Sequence, residues 1–384
     1  MLRNNPSCEN RGVSKPIGNA LLLLLWMSIG YCWLATSSNC FAQNSGPGTT
    51  NTTSIAVVTN RSQLLKQGID QFNARMYSQA DQTFTEMEKE FPFDSDALQY
   101  HSKVLIHLKK YAEAESDLRA YLKLHPNSSD ATYLLAYVQF CLNQPRVSLA
   151  TYTAAAKLTK PTSDDLKIVG LDYGILNDFQ DAIHWLSVSI QENPNDLEAV
   201  NYLGLAYFHD SQFPAAVKTY KYVLQRDPHN VRAETGLGRS LDALNQPDKA
   251  IDAYTKAIAW SQDSTKRTDQ PYINLASIML DRNNPQRALK LLNQAAKINP
   301  EDSELHVDYG KAYLQLKRWP EAEREFKMAL DSEPKNSNLH FLLGRAYQRD
   351  NKLELAKEQF NATSNLLGTH SNTAENSQAT PAKK

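Results

Sequence analysis

Cysteine is scarce: the 384 residues hold four, and Cys8, Cys32 and Cys40 all precede Phe41. No CxxC pair or Cys/His cluster is present to hold zinc. A chain that loses its first segment keeps Cys141 alone, which excludes an internal disulfide framework. An excess of one charge is also lacking, since the formal net charge is −1, and with it any general attraction to nucleic acid or anionic lipid. Compact catalytic signatures are missing too: no HExxH, GxSxG, GxxxxGK[ST] or GxGxxG occurs. Asp and Glu are plentiful but scattered at helical spacing over polar faces, so pairing any two as acid and base would be arbitrary. These absences argue against an enzyme and imply neither cofactor nor metal.

Charge is wholly absent from Pro16 to Asn60, and Arg3, Arg11 and Lys15 stand just before that stretch. With Ile17 to Ala35 mostly apolar and Leu21 to Leu25 unbroken, this is the positive n-region and apolar h-region of an export signal. Asn19, Ser28 and Gly30 interrupt it, which favours a cleaved signal over a membrane span. The best cut follows Ala42, where Cys40 and Ala42 supply the small residues. Asn39 argues against a lipid anchor at Cys40. If uncut, residues 1–42 become a single N-terminal anchor with the rest of the chain outside the cytoplasm. Export to the periplasm or beyond is therefore expected. Removing Arg3, Arg11, Lys15 and Glu9 with the leader takes the net charge to −3. Residues 43–60, rich in Ser, Thr, Asn and Gly, read as a flexible spacer.

Beyond the spacer one pattern recurs. Units begin at Arg61, Ser95, Ser129, Ser163, Leu197, Val231, Asp269, Ser303 and Ser337, every interval being 34 residues except one of 38. The eighth position is small: Gly68, Ser102, Ala136, Gly170, Gly204, Gly238, Ala276, Gly310 and Gly344. So is the twentieth: Ala80, Ala114, Ser148, Ala182, Ala216, Ala250, Ala288, Ala322 and Ala356. Small residues on two helices let the backbones approach at one crossing point. Large side chains at position 11 (Tyr207, Tyr313) and position 24 (Phe84, Tyr220, Tyr254, Phe326) fill the space beside it. Pro145, Pro214, Pro247, Pro285 and Pro320 stand where a second helix starts. Pro92, Pro126, Pro194, Pro228, Pro300 and Pro334 stand where it stops, and Asn, Asp or Ser follows to cap the next helix. Each unit is therefore a helix, a turn, an antiparallel helix and a second turn.

Leu203-Gly204-Tyr207-Ala216-Tyr220-Pro228 and Tyr309-Gly310-Tyr313-Ala322-Phe326-Ala329-Pro334 resemble the tetratricopeptide repeat. The resemblance covers about residues 61–370 as nine repeats. It implies an all-α fold, a right-handed α-solenoid of stacked helix-turn-helix units, each burying its apolar face on its neighbours. Residues 371–384 are left as a disordered tail. The second repeat lacks the glycine, the third has Gln139 for an aromatic, and the sixth has Gln262 where proline belongs. Four additional residues, Thr265 to Thr268, follow that sixth unit, so a longer loop or helix and a small change in superhelix direction are expected there.

The resemblance also implies a concave groove lined by positions 2, 5, 9, 12 and 13 of the first helices. Those positions hold Tyr133, Tyr137 and Phe140, then Asn201, Phe208 and His209, then Arg232 and Arg239, and farther on Lys311, Arg345 and Arg349. An aromatic stretch followed by a cationic one suits an extended peptide with an apolar part and an acidic part. The plainer alternative makes the rings gap-fillers and the cations solvated or paired. A Lys/Asn carboxylate clamp is not expected, because Leu65 and Ile69 occupy its leading positions. Arg345 and Arg349, one turn apart, are the substitute. His306 and His340 share the fourth position of successive repeats and read as core. The resulting expectation is an exported, non-enzymatic scaffold for proteins or extended peptides. Alternatives are an assembly or secretion factor docked on an envelope complex, or a regulatory subunit of a separately encoded cell-envelope enzyme. Membrane contact would come only through an uncleaved leader or a docked complex.

Overall fold

The computed structural model describes residues 50–262 and 267–378, with side chains for 60–262 and 267–368. Eighteen helices and no strand occur among the described residues. The chain divides into two compact units, residues 1–194 and 195–384. The first holds α1 (Thr50–Asn73), α2 (Tyr77–Glu90), α3 (Ser95–His107), α4 (Tyr111–Leu124), α5 (Ser129–Cys141), α6 (Pro145–Ala156), α7 (Ser163–Ile175) and α8 (Phe179–Glu192). The second holds α9 (Leu197–His209), α10 (Phe213–Arg226), α11 (Val231–Ala243), α12 (Pro247–Gln262), α13 (Gln270–Asp281), α14 (Pro285–Ala295), α15 (Ser303–Gln315), α16 (Trp319–Ser332), α17 (Ser337–Arg349) and α18 (Leu353–Gln378). Each odd helix pairs with the even helix after it, and within each unit that even helix packs on the next odd one. Both units are stacks of helical hairpins, an α-solenoid architecture.

Local chemistry sets the helix limits. At the N-termini of four odd helices the capping oxygen accepts the third backbone N–H: Asp94 from Ala97 at 3.0 Å, Asp196 from Ala199 at 3.0 Å, Asn230 from Ala233 at 2.9 Å, Asp302 from Leu305 at 3.1 Å. Pro145, Pro214, Pro285 and Pro320 sit in the first turn of even helices, where no N–H partner is lost. Between the two helices of every hairpin one residue adopts positive φ: Arg75, Lys109, Asn143, Asn177, Ser211, Asn245, Asn283, Lys317 and Asn351. The next N–H then reaches back to a carbonyl of the odd helix, as Gln246 N to Leu241 O at 2.9 Å, closing the helix end.

The period-34 small residues have a specific partner. The position-24 side chain of each glycine-bearing hairpin lies directly over its position-8 glycine. A Cβ built on Gly68 would meet the Phe84 ring at 2.6 Å, on Gly204 the Tyr220 ring at 2.8 Å, and on Gly238 the Tyr254 ring at 2.6 Å. Tyr220 is held from both sides, because Gly236 of the next hairpin also faces its ring. Ala80, Ala216, Ala250 and Ala322 are fully buried beside these rings. Burying one such ring is worth about 2 to 3 kcal/mol.

Four expectations change or fall outside this description. Thr50 to Asn60 belong to α1, so the latter part of the segment read as spacer is helical. No Gly or Pro occurs between Thr49 and Gln67, and nothing stops a helix seeded by the first hairpin from growing backwards. The tail read as disordered from 371 is helical to Gln378. Gly368 stands at the position where proline ends other repeats, and no proline follows until Pro381. The unit lacking its proline does carry a longer helix, α12 at 16 residues against 14 in α10. The direction change expected there involves residues 263–266, outside the described residues, as does the leader 1–42. No helix among the described residues is long and apolar enough to cross a membrane.

Candidate functional site

Odd helices approach one another along each unit: α1 meets α3 and α5 meets α7 in the first, α9 meets α11, α11 meets α13 and α13 meets α15 in the second. Even helices do not come together as closely. The odd helices thus line the tighter side of each stack, and the groove positions lie on them.

The two groups of candidates differ in exposure. Tyr133, Tyr137 and Phe140 on α5 are only 8, 1 and 1 % exposed. Tyr133 donates its hydroxyl to Thr159 O at 2.7 Å and tilts against Tyr152 at 6.0 Å. These rings fill the seam between neighbouring helices, so the aromatic limb of the expected groove is core. Asn201 is also buried, its amide N–H donating to Leu197 O at 3.0 Å.

On α9, α11 and α17 the candidates reach solvent. Phe208 is half-buried, edge-on to His209 at 5.5 Å, and the Arg239 guanidinium lies 4.5 Å over its ring. Burial, then the charge of Arg239, pushes the His209 imidazole below its ordinary value. Arg232 is exposed and sits 5.5 Å over Tyr202, a ring that position counting did not select. Lys311 is paired to the buried Asp308 at 2.8 Å. Arg345 and Arg349 are exposed on α17, Arg345 lying 6.0 Å over the exposed Phe341 ring. Neither makes an ion pair among the described residues. The second unit therefore presents guanidinium groups backed by aromatic faces, an arrangement that leaves planar N–H forks for a carboxylate.

His306 and His340 do not face each other. His306 Nδ1 lies 2.8 Å from Glu325, and His340 Nδ1 lies 2.7 Å from Gln359, each within its own hairpin. The histidine that does gather partners, His101, was not singled out from the sequence. It is buried on α3 between α2 and α4, with Nδ1 2.8 Å from Glu88 and 3.0 Å from Asp117, and Nε2 3.1 Å from Asp81. Burial opposes its charge, but Asp117 and Glu88 outweigh that and hold its pKa up at about 10. The signal is hidden because its partners belong to two different hairpins at unrelated positions. A second buried group, Asp172 on α7, has neither carboxylate oxygen hydrogen-bonded. Burial pushes it up to about 8, and the neighbouring Ser148 hydroxyl spends its hydrogen on Ala136 O at 3.0 Å rather than on this carboxylate.

Two family models, each described as tetratricopeptide repeat, match the chain, one over residues 207–267 and 279–340 and the other over 103–160 and 170–230. Together they span more than half of it. Among curated proteins, the DnaJ protein P58IPK homolog B of Oryza sativa is 23% identical over 70% of this chain and 62% of its own length. Anaphase-promoting complex subunit 3 of Schizosaccharomyces pombe is 20% identical over 69% of this chain and 39% of its own. The chain thus spans at most about three fifths of these two relatives. A solved tetratricopeptide repeat protein from Parabacteroides merdae superposes with a TM-score of 0.55 at 19% identity, over 70% of this chain and 98% of that one, a likeness of fold alone.

Proposed function

The chain belongs to the tetratricopeptide-repeat family, and on that premise we propose that it is an exported, non-enzymatic scaffold that binds acidic protein segments along the odd helices of its second unit. The observation that carries this reading is the guanidinium of Arg239 stacked 4.5 Å over Phe208, repeated more loosely by Arg232 on Tyr202 and Arg345 on Phe341. Stacking fixes the cation without using its hydrogen bonds, so an incoming carboxylate finds a pre-oriented fork and the ring edge beside it takes an apolar side chain. Affinity spread over several hairpins suits an extended segment. The printed names of the relatives, a DnaJ protein and a subunit of the anaphase-promoting complex, are compatible with arrays that hold other proteins. Export rests on the leader pattern of residues 1–42 and on the absence of charge from Pro16 to Asn60.

The test is fluorescence anisotropy with peptides that combine Asp or Glu with an apolar residue, read against wild type, Arg232→Ala/Arg239→Ala and Arg345→Ala/Arg349→Ala. Loss of a charge-assisted hydrogen bond costs about 1.5 to 3 kcal/mol, so one of the double variants binds roughly 10-fold or more weakly while melting within about 0.5 kcal/mol of wild type. Unchanged affinity in both would remove the second-unit groove from consideration. Export is tested separately by N-terminal sequencing of chain recovered outside the cytoplasm, with Gln43 the expected first residue. Recovery from the cytoplasm alone would refute it.

A further inference from the structure

The cluster around His101 has more acceptors than protons. Its Nδ1 bears at most one hydrogen, and Glu88 Oε1 lies 2.8 Å from that nitrogen. Asp117 Oδ2 lies 3.0 Å from the same nitrogen, buried and with no hydrogen bond. The three donor atoms from Glu88, His101 and Asp117 all lie within 4.8 Å of one another. On the far side of the ring, Nε2 is 3.1 Å from Asp81 Oδ1, and Asp81 Oδ2 accepts from Lys110 at 2.9 Å. In the neutral imidazole that outer contact takes the hydrogen on Nε2 and the Nδ1 lone pair faces the two carboxylates, the arrangement found behind metal-binding histidines; a bound cation would displace the proton that Nδ1 otherwise carries. Against a neutral imidazole the inner oxygens face a lone pair with nothing between. Against a protonated one, Asp117 is still left without a hydrogen.

From this geometry we propose that Glu88, His101 and Asp117 bind a divalent zinc ion, which ties α2 of the first hairpin to both helices of the second. One imidazole nitrogen and two carboxylate oxygens are an ordinary donor set for zinc, which holds them at about 2.0 to 2.2 Å and keeps a further position for water. Donors on one such ion stand about 3.3 Å apart, a few tenths of an ångström wider than the 2.8 and 3.0 Å here. The two carboxylates neutralise the ion, so the buried site carries no net charge. Glu88 is 26 % exposed and provides the entrance and the open side for water. The site lies entirely in the first unit and is independent of the peptide-binding reading.

The experiment uses the full chain, stripped with chelator, dialysed and titrated with zinc chloride by calorimetry, alongside the isosteric variants Asp117→Asn and Glu88→Gln checked for native circular dichroism. Wild type binds one zinc per chain at this site, and each variant that keeps the native spectrum binds it at least 10-fold more weakly. Asp81→Asn weakens binding by about 10- to 100-fold through loss of the orienting contact. X-ray absorption of the wild-type complex needs no variant: a shell of oxygen and nitrogen with one imidazole is expected. Absence of stoichiometric zinc, equal affinity in the natively folded variants, or a shell containing sulfur or several imidazoles would each overturn the proposal.

Discussion

The two units use one set of packing positions for different ends. In each, a small residue at position 8, another at position 20 and a large side chain at position 24 lock the hairpin, as Gly68 with Phe84 in the first and Gly310 with Phe326 in the second. What the remaining positions carry differs. Both units bury ionisable groups, but the first turns its aromatic groove candidates inward and holds His101 among three carboxylates and Asp172 with no hydrogen bond to its carboxylate. The second keeps its guanidinium groups at the surface over Phe208, Tyr202 and Phe341. Stability of the hairpin thus rests on few positions, and the rest are free to become core or binding surface.

The largest expected effect breaks this contrast at Asp172. Its folded-state pKa is about 8 against the ordinary 3.8, so between those values the folded chain holds a proton that the unfolded chain has released. The stability it contributes is fully present below about pH 4 and is lost progressively as pH rises through 8. At about 1.36 kcal/mol per unit the penalty above pH 8 is on the order of 5 kcal/mol. Asp172→Asn therefore melts like wild type near pH 4 and well above it at pH 9, measured by calorimetry across that range. Parallel pH profiles for the two proteins would mean that water or a shifted side chain already solvates the carboxylate.

The next effect sharpens the lock itself by setting two glycines against each other. Gly310 is covered by the Phe326 ring, whereas nothing approaches the Cβ position of Gly174 within 4 Å. Gly310→Leu overpacks and costs about 1 to 3 kcal/mol. Gly174→Ala has room and gains up to about 1 kcal/mol of helix propensity. Urea midpoints of opposite sign would support the assignment, and a loss at both would contradict it.

Much of this was legible because the period is written in side chains whose effect is local. The starts at Ser95, Ser129, Ser163, Leu197, Val231, Ser303 and Ser337 coincide with the first residues of α3, α5, α7, α9, α11, α15 and α17. Caps and prolines act within a few residues, so they can be read without knowing the packing. The start of α1 and the end of α18 are not legible because they lack such signals, Gly368 standing where proline would have stopped the helix. Groove membership was harder. Position counting selects a helix face but not how closely the next helix covers it, and Tyr137 is buried while Arg345 is exposed. The His101 cluster was illegible for a related reason: Asp81, Glu88 and Asp117 share no period with it, and only packing of three helices brings them together.

The smallest effect concerns the turns, where both units behave alike and the sequence varies. All nine hairpins carry a non-glycine residue at positive φ, Asn in five and Arg, Lys or Ser in the other four. Asn tolerates that region through its short polar side chain, but Lys crowds its own Cβ against the following carbonyl at a cost of roughly 1 to 2 kcal/mol. Lys317, at φ 59 in the turn from α15 to α16, therefore gains by replacement with glycine. Part of that gain is offset by the greater freedom of glycine in the unfolded chain. The net expectation for Lys317→Gly is a stabilisation of about 0.5 to 1 kcal/mol, with Asn283→Gly giving less because Asn already accepts the conformation. Since Arg318 N–H still closes the helix on Tyr313 O at 2.9 Å, the turn keeps its hydrogen bond in either variant. A lower melting temperature for Lys317→Gly would mean that contacts of the lysine stem outweigh the strain. Equal gains at Lys317 and Asn283 would mean that the asparagines mark no conformational preference.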